Sequence, residues 1–188
     1  WARENTRDAI FDAMLRKEVF GTSGPRIRPR LFAGWGLDAG LCEANDMVTQ
    51  AYASGVPMGG DLSASGTTDK PSFLAYASKD PDGLKLQELH LIKGWIDGEG
   101  QMNTQVLPIA TAEAGADSLC NVYTDESFDP AQSAYYYLRA VEPETPRWHT
   151  YDCAAIAEAE RPDVCTNGAY PETIREMAWT SPIWYQGQ

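Results

Sequence analysis

The side chains in this sequence most able to do chemistry are four cysteines, two histidines and a few loops that carry carboxylates. The cysteines are Cys42, Cys120, Cys153 and Cys165. None stands in a Cys-x-x-Cys pair, so the spacing gives neither a zinc ribbon nor a thioredoxin-type redox pair. An even count permits two disulfides, which need an oxidising compartment; buried thiols are the other reading. Cys153 and Cys165 flank a polar, turn-rich stretch with little core of its own, where a bridge would act as a staple. That pairing leaves Cys42 with Cys120 by elimination. His90 and His149 lie far apart in sequence and are too few for a histidine-rich metal site. His90 falls in an apolar strand and reads as a packed or rim histidine.

Three further groups have chemical potential. Residues 21–26 (Gly-Thr-Ser-Gly-Pro-Arg) form a glycine-flanked hydroxyl turn. It lacks the spacing and the Lys of a phosphate-binding loop, and Ser23 is not in a Gly-x-Ser-x-Gly elbow. Thr22, Ser23 and Arg26 are candidates for contacting an anion; a strand-connecting turn is the plainer reading. Asp125, Glu126 and Asp129 make an acidic loop. Calcium takes about six or more oxygen ligands, so a solvated acidic loop is expected there. Trp148, Tyr151, Trp179, Trp184 and Tyr185 could form a sugar-stacking platform, although aromatic residues in β proteins more often pack in cores or between domains.

The elements that must position these groups begin with a helix over residues 5–17. Asn5 is its expected N-cap, Asp8 lies near the positive end of its dipole, and Ile10, Phe11, Ala13, Met14 and Leu15 give it an apolar face. A short strand at residues 18–20 follows. Residues 26–33 read as a strand that Pro29 places at an edge or bulge. Residues 46–54 read as a short helix stopped by Gly55. Strands are expected at 72–78, 86–96, 105–109, 118–124, 134–142 and 181–185, with a turn at 80–83 and a hairpin at 97–100. The stretch 86–96 is apolar on both faces, as a central strand should be. Residues 143–178 read as a loop-rich excursion with a short helix at 172–177. The last strand should pair antiparallel with 135–141, with Leu138 and Ala140 facing inward, Arg139 facing outward and Ile183 buried. The fold class is therefore mainly β: an antiparallel β-sandwich preceded by a helix-strand remnant of an α/β architecture.

Composition supports a packed chain that avoids polyanions. Of 188 residues, 43% are hydrophobic and 22% charged, which suits a globular core. Lys and Arg total 15 against 27 Asp and Glu, a net charge of −12. Such a field repels phosphate backbones and anionic lipid, so neither nucleic-acid binding nor a polybasic membrane contact is expected. No run approaches the roughly 18 apolar residues needed to cross a bilayer, so no membrane insertion is expected. A start at Trp1, without Met or a signal peptide, is expected of a processed product or a piece of a longer protein.

Several stretches carry a family resemblance. They are 1–14 (Trp-Ala-Arg-Glu-Asn-Thr-Arg-Asp-Ala-Ile-Phe-Asp-Ala-Met), 22–26 (Thr-Ser-Gly-Pro-Arg) and 55–62 (Gly-Val-Pro-Met-Gly-Gly-Asp-Leu). Further on come 92–95 (Ile-Lys-Gly-Trp), 128–132 (Phe-Asp-Pro-Ala-Gln), 136–139 (Tyr-Tyr-Leu-Arg) and 178–185 (Ala-Trp-Thr-Ser-Pro-Ile-Trp-Tyr). In this order they resemble the C-terminal part of the bacterial domain-of-unknown-function 3604 family. That family looks related to the polymerase-and-histidinol-phosphatase superfamily of metal-dependent hydrolases. The resemblance implies a divalent metal held by motifs upstream of Trp1, and it assigns no catalytic residue and no metal ligand to this chain. It also implies that residues 1–29 are the last helix and strand of an upstream barrel and that 30–188 form an accessory sandwich. The implied partners are that barrel or another copy of the chain, and the implied location is periplasmic or extracellular.

Two functional classes follow. One is the non-catalytic C-terminal portion of a metal-dependent hydrolase-like protein, closing its barrel. The other is a secreted β-sandwich binding or structural module that contacts glycan or protein through exposed aromatics.

Overall fold

The computed structural model describes residues 1–65 and 70–187. The first element, α1 (Arg7–Leu15), is capped by Thr6, whose Oγ1 accepts a hydrogen bond from the Ala9 amide at 3.3 Å. The cap thus falls one residue after the expected Asn5, and the helix is shorter than the apolar pattern implied. Its end is a Schellman turn. Lys17 takes the left-handed conformation at φ 58°, the Lys17 amide donates to Met14 O at 3.0 Å, and the Glu18 amide donates to Ala13 O at 3.0 Å.

Among the described residues eleven strands and two more α-helices follow: β1 (Phe20–Thr22), β2 (Arg28–Trp35), α2 (Met47–Ser54), β3 (Val56–Pro57), β4 (Asp61–Leu62), β5 (Pro71–Ser78), β6 (Leu86–Ile96), β7 (Met102–Ala116), β8 (Ser118–Thr124), β9 (Ala134–Pro146), α3 (Trp148–Ala155), β10 (Thr173–Thr180) and β11 (Ile183–Tyr185). The chain is mainly β, in two sheets whose pairings are antiparallel except for β4 with β11. The smaller sheet runs β3-β2-β5-β8. In the larger sheet β6 lies between β7 and β9. The other side of β9 is shared: β11 pairs along Ala134–Tyr136 and β10 along Arg139–Pro146.

Several expectations meet their coordinates here. β6 has the expected bounds and the expected central place. β9 and β11 are antiparallel neighbours, with Ile183 opposite Tyr136. Pro29 pairs with Ala77 of β5, while β3 reaches only Phe32 and Ala33, so no strand needs an amide from Pro29. Its carbonyl instead accepts from Trp1 Nε1 at 3.1 Å.

Two segments differ from the sequence reading. The stretch expected to be a helix at 172–177 is the strand β10, because the free edge of β9 offers it a hydrogen-bond ladder. The excursion after β9 holds a helix, α3, that no apolar face announced. Of the first 29 residues, Phe20–Thr22 form an edge strand of the larger sheet, paired with β10 from Phe20↔Thr180 to Thr22↔Ala178, while Arg28 and Pro29 open β2 of the smaller sheet. Trp1 packs on Phe20 at 5.5 Å between centroids and lies 3.7 Å beneath the Arg30 guanidinium.

The two sheets share one buried cluster. Leu31 and Ala33 of β2 and Phe73, Ala75 and Ala77 of β5 meet Leu89 and Leu91 of β6, Tyr136, Leu138 and Ala140 of β9, and Ile183. A second cluster lies on the far side of the smaller sheet. There Phe32 and Leu74 pack under Ala51 of α2 and under Leu41, in a 3-10 turn at Ala39–Glu43. Cys42 and Cys120 are bridged, which fastens that turn to β8; Cys153 and Cys165 are bridged within the excursion.

Candidate functional site

The residues of the 21–26 turn are engaged with this chain's own groups. Thr22 is the last residue of β1, opposite Ala178. The Ser23 hydroxyl donates to Glu176 and accepts from the Met177 amide at 2.9 Å. Arg26 spans two carboxylates, with Nε 3.3 Å from Asp80 and Nη2 2.7 Å from Asp82. The backbone amides of Arg26 and Asp82 donate to Asp80, and with the guanidinium they hold its carboxyl down to about 2. Lys79 Nζ closes the same turn by donating to the carbonyls of Asp80, Pro81 and Gly83 at 2.9, 3.0 and 3.1 Å. The cations here are matched by the chain's own acceptors, and the arrangement clamps a turn.

Beside this clamp Glu142 is 3% exposed, and its Oε1 has no hydrogen-bond partner among the described residues. Burial, reinforced by the nearby Glu176 and Asp80 carboxylates, pushes it up to about 6.

Between the sheets lies a charged centre that the sequence reading missed. Lys93 and Asp125 are 3% and 0% exposed. Lys93 Nζ is 2.6 Å from Asp125 Oδ2 and also donates to the Ser127 carbonyl and hydroxyl at 3.2 and 3.3 Å. Tyr136 OH donates to the same Oδ2 at 2.7 Å, and the Ser127 amide and hydroxyl donate to Oδ1 at 3.0 and 2.8 Å. Burial pushes the Asp125 carboxyl up, but the donors from Lys93, Tyr136 and Ser127 outweigh it and hold the group below its ordinary value. Burial and the neighbouring carboxylate push the Tyr136 phenol far up. All three ammonium hydrogens have acceptors, so the centre has no spare valence for a substrate. Asp125 is sealed in, contrary to the solvated loop expected; Glu126 and Asp129 remain at the surface.

The outer face of the larger sheet carries a polar row. Arg175 Nη2 donates to Glu88 Oε1 at 2.7 Å, and the other carboxylate oxygen of Glu88 meets His90 Nε2. His90 Nδ1 faces Arg139 Nη2 at 3.0 Å. Since the guanidinium can only donate, the ring hydrogen is assigned to Nε2. Arg139 faces outward as expected. His90 is a rim histidine tied into an ion-pair chain. Among the described residues no group of three or more His, Cys, Asp and Glu side chains is placed to hold a metal ion.

Farther along the same face is a groove of about 580 Å³. Gly94, Tyr135 and Trp184 stand side by side on β6, β9 and β11. A Cβ on Gly94 would lie 2.2 Å from Tyr135 Cζ, so the missing side chain lets the ring lie down against β6. Tyr135 is stacked at 11° with Tyr137 and is 5.4 Å from Trp184, which is 43% exposed. Asp61, Thr104, Gln186 and Lys17 stand at the margin. Of the five aromatics named from sequence, Trp184 and Tyr185 line this groove. Tyr185 is buried against Phe128 and Trp35, Trp179 is half-buried on β10, and Trp148 and Tyr151 stand exposed on α3.

Two comparisons are without a match: neither a curated protein nor a solved structure corresponds to the chain. A family model does match, over residues 1–114 and 109–187, and its description is "Protein of unknown function (DUF3604)". The alignment covers nearly every residue, and the chain belongs to the DUF3604 family.

Proposed function

We propose that this chain is a non-catalytic β-sandwich module of a metal-dependent hydrolase-like protein, and that it packs against and completes that protein's barrel. One observation carries the reading. On α1, Ile10, Phe11, Met14 and Leu15 are 44, 59, 62 and 64% exposed, and Ala13 is the one buried residue of the helix. A nine-residue helix is marginal by itself and is stabilised by covering its apolar face. The rest of the chain leaves that stripe open, as expected of a surface built to meet another folded unit. The divalent metal belongs to the barrel in this reading, and the present chain supplies a wall. Two disulfides fit an oxidising compartment, which supports a periplasmic or extracellular location. No helix among the described residues is long and apolar enough to cross a membrane.

Hydrogen exchange tests the docking directly. Amides of α1 are compared between this chain alone and the whole natural gene product. Slower exchange in the whole product is expected; equal exchange in both overturns the reading.

A further inference from the structure

The groove on the larger sheet has a chemistry of its own, independent of whether α1 docks. We propose that it binds a neutral oligosaccharide, with pyranose rings lying on Tyr135 and Trp184. Three observations lead there.

The first is ring presentation. The absence of a Cβ on Gly94 lets the phenol end of Tyr135 lie over it, and the ring lines the groove. Trp184 continues the row with its indole exposed. A ligand that stacks on ring faces fits such a floor better than one that needs a deep socket.

The second is the margin. Asp61 offers a carboxylate, Gln186 an amide, Thr104 a hydroxyl and Lys17 an ammonium, and none of these side chains has a partner among the described residues. By contrast Asn103, also at the rim, is committed to Asp97 at 2.9 Å. Free donors and acceptors around an apolar floor suit a ligand with apolar ring faces and hydroxyls along its edge.

The third is what the site disfavours. A net charge of −12 with Asp61 at the groove opposes uronic or sulfated chains. An extended peptide gains affinity by adding to a free strand edge. At Tyr135 both sides of β9 are taken, by β6 and by β11, so no such ladder can form on the groove floor.

The test is an amide and indole NMR titration of the chain with cellohexaose, xylohexaose, mannohexaose and maltohexaose, each to about 10 mM, a range that reaches weak sites. At least one should saturably shift the Trp184 indole and the Gly94 amide. Trp184→Ala should weaken that binding about tenfold or more. Asp61→Asn, an exposed polar change, should weaken it severalfold with an unchanged unfolding midpoint. Three results overturn the proposal: no shift with any of the four sugars, equal binding by Trp184→Ala, or tighter binding of a polyuronate oligomer than of every neutral one.

Discussion

Lys93 Nζ and Asp125 Oδ2 are 2.6 Å apart, sealed between two sheets, on residues that the chain separates by a hairpin and two long strands. A buried pair of this kind adds little net stability, but removing one member strands the other charge. Asp125→Ala should therefore lower unfolding free energy by about 3–5 kcal/mol. The double variant Lys93→Met, Asp125→Leu should lose clearly less than the sum of the two single variants. Urea unfolding of the wild type, Asp125→Ala, Lys93→Met, Asp125→Leu and the double variant checks it, and additive losses would mean that the two charges do not depend on each other.

The pH dependence of stability should carry the mark of Glu142. Its folded value of about 6 is above the ordinary 4.5. The group therefore favours the folded state most below pH 4.5, and that contribution is lost as pH rises through about 6. The loss should be at most about 2 kcal/mol. Glu142→Gln should remove this slope and unfold later than the wild type at pH 7.5. Asp80 works in the opposite direction. Its contribution is full above pH 3.8 and is lost as pH falls through about 2. A pH series of thermal unfolding on both proteins separates the two.

The disulfides should differ in what they hold. Cys42–Cys120 closes a 78-residue span and ties a core-covering turn to β8; the chain-entropy model gives it about 4.5 kcal/mol. Cys153–Cys165 closes a 12-residue span beside α3, a helix with no buried residue. Replacing Cys42 and Cys120 by Ser should lower the global unfolding midpoint. Replacing Cys153 and Cys165 should leave global stability within about 1 kcal/mol and open the excursion locally. Cleavage after the exposed Glu158 by a glutamate-specific protease reports that opening.

Lys17 holds a left-handed position that disfavours side chains. Lys17→Gly should stabilise the fold by about 0.5–1 kcal/mol, the relief at the turn exceeding the added freedom of the unfolded chain. Circular dichroism melts measure it. A loss of stability would show that the lysine stem contributes packing that outweighs the backbone relief.

Periodicity made the central strands legible. Leu86–Ile96 reads as a central strand and pairs on both sides, with Leu89 and Leu91 in the core, and Leu138 and Ala140 face inward as their alternation requires. Where tertiary contacts override local preference, the sequence misleads. Thr173–Thr180 includes residues that favour helices, yet it completes the free edge of β9. Asp125 sits in a run of polar residues, and its burial depends on Lys93, 32 positions away. The groove was half visible: Trp184 was a candidate, but its neighbour Tyr135 gains its role from Gly94 on another strand, a relation that no local pattern carries.

The pairing of β1 with β10 also governs when the molecule can become whole. Phe20 and Thr180 meet across nearly the full length of the chain, and β9 lacks its flank until β10 and β11 exist. On the ribosome the β6–β7 hairpin and the smaller sheet emerge with apolar faces that stay unmatched until β9, β10 and β11 have been made. Refolding should accordingly be slow, in the millisecond-to-second range of topologies dominated by distant pairings. Nascent chains stalled before Thr173 should present an open edge on β9, a template for aggregation that β10 and β11 remove.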